Sequence, residues 1–101
     1  MASTNDDSSD TPTIALSAVP SISRHFRLQF EKAQDSWVLL YPEGMLKLNS
    51  AAAEIMQRCD GETNIEKMIG DIETAFGETG LQADIVSFFE MASEKKWVEL
   101  A

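Results

Sequence analysis

A chain of 101 residues with 44% apolar content suffices for one small domain with a single modest core and leaves no room for a second. Its 8 Lys and Arg against 17 Asp and Glu give a formal charge of −9, which argues against a phosphate-backbone partner because non-specific nucleic-acid affinity is largely electrostatic. One cysteine, Cys59, excludes an internal disulfide, and no apolar run is long enough for a signal peptide or membrane span, so a cytoplasmic protein with no membrane partner is expected.

Met1 to about Val19 differs in composition from the rest. Asn5, Asp6, Asp7, Ser8, Ser9 and Asp10, then Thr11, Pro12 and Thr13, form a polar run that cannot offset its own ordering entropy. Residues 1–19 are therefore expected to be a disordered tail or linker, with Ile14, Leu16 and Val19 a small apolar interruption within it, and residues 20–101 the folded domain.

Strand signals come next. Phe26, Leu28 and Phe30 alternate with Arg27, Gln29 and Glu31, the pattern of a half-buried strand. After Gln34, Asp35 and Ser36, the run Trp37 to Tyr41 is apolar and strand-favouring, and Met45 to Leu48 is a second, shorter run. Between them Pro42 suits the i+1 position of a type I turn, and Gly44 can take a left-handed conformation that closes a bulged hairpin loop. In the last of these strands Leu46 and Leu48 share one face, while Met45 and Lys47 share the other. The three runs predict an antiparallel meander.

Helical signals then take over. Asn49 or Ser50 can cap a first helix through about Cys59, with Ala52, Ile55, Met56 and Cys59 at i, i+3, i+4, i+7 spacing, and Asp60-Gly61 ends it. Thr63 with Glu66 predicts a capping box for a second helix, whose buried stripe is Ile65, Met68, Ile69, Ile72 and Phe76. Gly77 and Gly80 bracket its exit, and a third helix, capped by Thr79 with Gln82, runs to about Lys96. Trp97 to Leu100 reads as a short strand or an extended tail.

The third helix carries more apolar residues than one stripe needs. At roughly 100° per residue, Ile85, Phe88, Phe89 and Ala92 cluster on one face while Val86 and Met91 fall on opposite flanks. Two readings stand side by side: a small domain that wraps the helix on both sides, or a helix forming the wall of a groove. An exposed strand edge beside such a wall would admit an extended peptide, held by main-chain hydrogen bonds and side-chain pockets.

Catalytic constellations are almost absent. His25 has no His or Cys neighbour at ligand spacing, and Cys59 lies on an apolar stripe where a thiol packs as a small hydrophobe. The carboxylates are scattered on polar faces, and no phosphate loop or nucleophile elbow occurs. Neither an enzymatic activity nor a metal or cofactor is expected.

The run Leu39-Leu40-Tyr41-Pro42-Glu43-Gly44, then Leu48-Asn49, Cys59-Asp60-Gly61 with Thr63, and Asp84 with Phe88 and Phe89 resembles the PqqD family. These are small peptide chaperones of pyrroloquinoline quinone (PQQ) biosynthesis and the type family of recognition elements for ribosomally made, modified peptides (RiPPs). The resemblance spans about Pro20 to Leu100, including Arg27-Leu28-Gln29-Phe30, and the ending Lys95-Lys96-Trp97-Val98 departs from the family's small or aliphatic ending. It implies an α+β fold, winged helix-turn-helix-like, with a three-stranded antiparallel sheet followed by three helices and no chemistry of its own. It implies binding of the precursor peptide PqqA and its presentation to the radical-SAM enzyme PqqE, which cross-links Glu and Tyr. The precursor would add a strand beside Met45, Lys47 and their neighbours Leu46 and Leu48, and lie against Ile85, Val86, Phe89 and Met91 of the third helix.

Two other classes remain open at this level. A winged helix can bind DNA, although the basic residues are dispersed and outnumbered by acids. An unprotected strand edge also invites self-pairing, so a structural dimerisation module is the other alternative; a monomer is expected, with strand exchange as the route to a dimer.

Overall fold

The computed structural model describes residues 14–101, and the polar run 1–13 lies outside them. The expected meander is present: β2 (Arg27–Glu31), β3 (Ser36–Tyr41) and β4 (Gly44–Lys47) form an antiparallel sheet in the order β2-β3-β4. In its register Leu28, Leu39 and Leu46 fall in one row, so one face of the sheet is apolar by simple alternation. The central strand is buried on both faces, with Val38 and Leu39 inaccessible to solvent. At the edge, Leu48 is buried and Leu46 half-buried, while Met45 and Lys47 face solvent.

The turn between β3 and β4 differs from expectation. Tyr41 pairs directly with Gly44, leaving only Pro42 and Glu43 in the loop. Gly44 is not among the residues with positive φ, so the hairpin closes without a left-handed bulge; the fixed φ of Pro42 already turns the chain.

Three helices follow: α1 (Ser50–Gln57), α2 (Ile65–Phe76) and α3 (Gln82–Glu94). Asn49 caps α1, its side chain accepting from the Ala52 N–H at 2.8 Å. The predicted Thr63 capping box does not form, because the Thr63 hydroxyl donates to Asp60 Oδ2 at 3.0 Å and Asn64 becomes the cap, accepting from the Lys67 N–H at 2.8 Å. Helix α2 ends at Gly77, whose left-handed φ of 67° glycine adopts without penalty. Nor does Thr79 cap α3. The cap position falls to Leu81, which makes no side-chain cap; its N–H instead donates to Glu73 Oε2 of α2 at 2.9 Å, joining the two helices.

A second sheet, β1 (Pro20–Ile22) with β5 (Val98–Leu100), adds to the meander; β5 is the short-strand alternative for Trp97 to Leu100, while β1 was not expected. Each strand is three residues long and is held by its pairing with the other. Val19 and Ala101 extend it with two reciprocal hydrogen bonds of 3.1 Å. The segment before it is also held, contrary to the linker expectation for Ile14 to Val19. The carbonyls of Leu16 and Ala18 accept from the Glu66 and Ile65 N–H groups at 3.0 Å, satisfying donors that the first turn of α2 leaves without intrahelical partners. Ile14, Leu16 and Ala18 pack against the core. The interruption in the polar run is thus a strap that closes the base of α2.

The core joins Leu39 and Leu48 of the meander to Ile55, Met56, Ile65, Met68, Ile72, Ile85 and Phe89 of the helices. Cys59 belongs to it, its Sγ donating to the Ile55 carbonyl at 3.4 Å. Burial, with neighbouring Asp60 adding to it, pushes the thiol pKa up to about 12. Asp60 itself is exposed; the N–H groups of Glu62 and Thr63, each 2.9 Å from Oδ1, hold its carboxyl below the ordinary value. No helix among the described residues is long and apolar enough to cross a membrane.

Two outcomes follow for stability. A chain beginning at Pro20 loses the strap, its apolar contacts and four backbone hydrogen bonds, and is expected to unfold with about 2–4 kcal/mol less stability than one beginning at Ile14, or a Tm lower by at least about 8 °C. Equal melting curves would show that the strap is dispensable. Replacing Cys59 by Ala is expected to cost about 1 kcal/mol at neutral pH. Because the folded thiol holds its proton above the ordinary 9.0, its contribution is complete below pH 9 and is lost as pH rises toward 12. The Cys59→Ala variant should therefore lose less stability than wild type over that window in denaturant melts.

Candidate functional site

Among the described residues strand β4 pairs only with β3, so its other side is an open edge there. The direction of its hydrogen bonds decides what that edge offers. Leu48 N–H donates to the Trp37 carbonyl at 2.9 Å, which makes Trp37 and Leu48 a hydrogen-bonded pair. Antiparallel pairs alternate between bonded and non-bonded, so Leu39 and Leu46 form the next bonded pair, while Lys47 opposite Val38 and Met45 opposite Leu40 do not bond. The N–H and C=O groups of Met45 and Lys47 therefore point outward. Their side chains sit on the solvent face, so the backbone and not the side chain is what Met45 presents.

Beside this edge lies a groove of about 520 Å³. Leu46, Lys47, Leu48 and Asn49 form its strand wall, and Ala51, Ala52 and Ile55 of α1 with Ile72 of α2 form its floor. The opposite wall is Asp84, Ile85, Phe88 and Met91 of α3, closed by Trp97 beyond the helix. Phe88 and Trp97 stack with ring centroids 6.3 Å apart at a tilt of 59°. At the other end Phe76, Glu78 and Leu81, from the end of α2 and the turn into α3, complete the lining. Lys47, Glu78 and Asp84 are its only charged residues. Size and lining suit an apolar ligand fixed by a few polar groups.

Of the residues singled out from the sequence, Leu46, Lys47, Leu48, Ile85 and Met91 come together in this groove. Three do not. Phe89 is fully buried in the core, packed edge-to-face on Phe88 with centroids 5.6 Å apart, and has no surface left for a ligand. Val86 lies on the flank of α3 turned away, and the Met45 side chain, 45% exposed, lies outside the lining. Of the two flanks left open by the helical spacing, the Met91 flank is the one that lines the groove. Phe88, placed on the apolar face but not named as a contact, is a half-buried wall residue; the i, i+4, i+7 spacing of Asp84, Phe88 and Met91 was the available signal. Phe76, placed in the buried stripe of α2, is 39% exposed and belongs to the groove.

The charged lining groups are few and apart, and among the described residues no three His, Cys, Asp or Glu converge as a metal site. An open backbone edge alongside an apolar trough is a geometry for holding an extended chain.

Comparison with known proteins agrees in fold and sequence. Residues 36–98 match the family model described as coenzyme PQQ synthesis protein D (PqqD). The chain is 47% identical over 88 residues to the PqqA binding protein of Stutzerimonas stutzeri, covering 86% of this chain and 96% of that one. It is 45% identical over 87 residues to the PqqA binding protein of Pseudomonas aeruginosa, covering 85% and 95%. The solution NMR structure of the PqqD truncation of Methylobacterium extorquens PqqCD, a stand-alone RiPP recognition element, superposes with a TM-score of 0.71 at 24% identity, over 85% of this chain and 94% of that one. That likeness speaks to the fold, and the sequence matches to the lineage: the chain belongs to the PqqD family.

Proposed function

We propose that this domain is a non-catalytic peptide chaperone of PQQ biosynthesis that binds the precursor peptide PqqA and presents it to the radical-SAM enzyme PqqE. The observation that carries the binding step is the open edge of β4, with the Met45 and Lys47 N–H groups outward, running beside an apolar groove. The precursor adds a strand to that edge and inserts alternate side chains between Leu46, Leu48, Phe88 and Met91. The names of the relatives, PqqA binding protein, support the same ligand. Presentation follows from chemistry: a domain without catalytic groups contributes to a modification by holding its substrate in extended form for a separate enzyme. In this reading the β3–β4 hairpin and the α2–α3 pair are a winged helix-turn-helix frame used for peptide, and the surplus of carboxylates disfavours DNA on the same frame.

The test separates groove from core. Lys47→Pro and Met45→Pro each remove an outward donor without removing a bond to β3, and are expected to weaken binding of a synthetic PqqA peptide in calorimetry while leaving the melting curve close to wild type. Met91→Asp should cost about 1–3 kcal/mol of affinity, because its carboxylate is desolvated against apolar peptide side chains. Val86→Asp, on the averted flank, should leave affinity within about twofold, or ~0.4 kcal/mol. Full affinity in the two proline variants and in Met91→Asp, with normal folding, would reject the groove.

A further inference from the structure

The groove is not electrically uniform, and its charge asymmetry assigns a polarity to its ligand. At the end where α3 begins, Glu78 and Asp84 line the wall. A third carboxylate there, Glu73, is already engaged by the Leu81 N–H. At the other end the charge reverses. Lys95 and Lys96 follow α3 immediately before Trp97, which closes the groove. Ser23 N–H donates to the Trp97 carbonyl at 2.9 Å, and this contact brings the next two residues, Arg24 and His25, to the same corner. Arg24, His25, Lys95 and Lys96 are all exposed. The ion pairs among the described residues are Arg58 with Glu54 and Lys67 with Asp71, so Arg24, Lys95 and Lys96 are in none of them, although Glu94 and Glu99 lie nearby in sequence. In a chain of charge −9 this is a local exception.

Backbone conformation adds a second observation. Lys96 has φ of 65°, the left-handed position after a helix that glycine ordinarily takes, with its N–H on the Ser93 carbonyl at 3.1 Å and the Trp97 N–H on the Ala92 carbonyl at 2.8 Å. A lysine there carries a conformational cost that a glycine would avoid.

We infer that the groove takes an extended peptide in one orientation, with an acidic segment docked on the Arg24, Lys95 and Lys96 corner beyond Trp97 and no acidic group at the Glu78 and Asp84 end. This deepens the peptide-groove reading and rests on it. Asp84 and Lys95 are separated along α3 by about 16 Å at the helical rise, a span that an extended strand covers in about five residues. The ligand class is therefore an apolar, alternating stretch of about that length with carboxylates following at one end only. Exposed pairs contribute little affinity each, but like-charge contact in the reversed orientation is penalised, so their effect is on direction.

The experiment uses three capped synthetic ten-residue peptides with one alternating Leu/Thr core: one with three Glu at its N-terminal end, one with three Glu at its C-terminal end, and one with Gln in place of every Glu. Affinities are measured by calorimetry at low and high salt, with synthetic PqqA as a control for the groove itself. One of the two Glu peptides is expected to bind about three- to tenfold more tightly than the Gln peptide at low salt, and the advantage should shrink at high salt. In Lys95→Glu, folded by thermal melt, the same peptide should lose its advantage while the Gln peptide is unaffected. Equal binding of all three, or an advantage that survives in both Lys95→Glu and Arg24→Glu, overturns the polarity while leaving the groove standing. Failure of PqqA itself to bind the wild-type protein overturns the groove and the polarity together.

Discussion

The hydrogen-bond parity of the β3–β4 hairpin is the constraint on which the rest of the molecule turns. Once Leu48 donates to Trp37, alternation fixes Leu46 as an inward partner and leaves the Met45 and Lys47 backbone groups outward. The same parity sends the Leu46 and Leu48 side chains toward the helices. A one-residue slip would reverse both, burying Met45 and Lys47 side chains and turning the donors to β3. The tight turn prevents that slip, since Tyr41 pairs with Gly44 across only Pro42 and Glu43. An edge of this kind is ordinarily a hazard, and here its four-residue length and the solvent-facing Lys47 limit unwanted pairing.

Keeping the edge open requires that stability come from elsewhere. The helices bury their stripes against one another and the meander beneath the groove, and the flanking segments supply a clamp: β1 pairs with β5, and the Leu16 and Ala18 carbonyls close the start of α2. Asp60 ties this clamp to the α1–α2 turn, bridging to Ser21 while holding the Glu62 and Thr63 N–H groups. Phe88, Met91 and Trp97 can then remain partly exposed without loosening the core, because Phe89 and Ala92 on the same helix are completely enclosed.

Elements whose stabilising contacts are local were legible in the sequence. The meander followed from period-two alternation, α1 and its Asn49 cap from an acceptor side chain three residues before the N–H that it caps, and α2 from an apolar stripe. Non-local features were less so. Strand β1 has no pattern, because it exists only through β5; Trp97 to Leu100 could be read as a short strand but its partner could not, and the strap at Ile14 to Val19 was masked by its polar neighbours. The Thr63 cap failed because Asp60 takes its hydroxyl, and at α3 the helix starts two residues later than Thr79 would place it, with the Leu81 N–H on Glu73. Within the site, spacing identified α3 as doubly apolar but could not choose a flank, since the choice depends on where β4 lies, and Phe76 was read as part of a buried stripe because its exposure depends on the same packing.

The most direct measurement is amide hydrogen exchange, resolved by residue, of Met45 and Lys47 in the free protein and with saturating PqqA peptide. Parity predicts that in the free protein both exchange far faster than Leu46 and Leu48, and that binding protects these two amides as they gain partners on an added strand. Rapid exchange of Met45 and Lys47 in the saturated complex would contradict strand addition at β4.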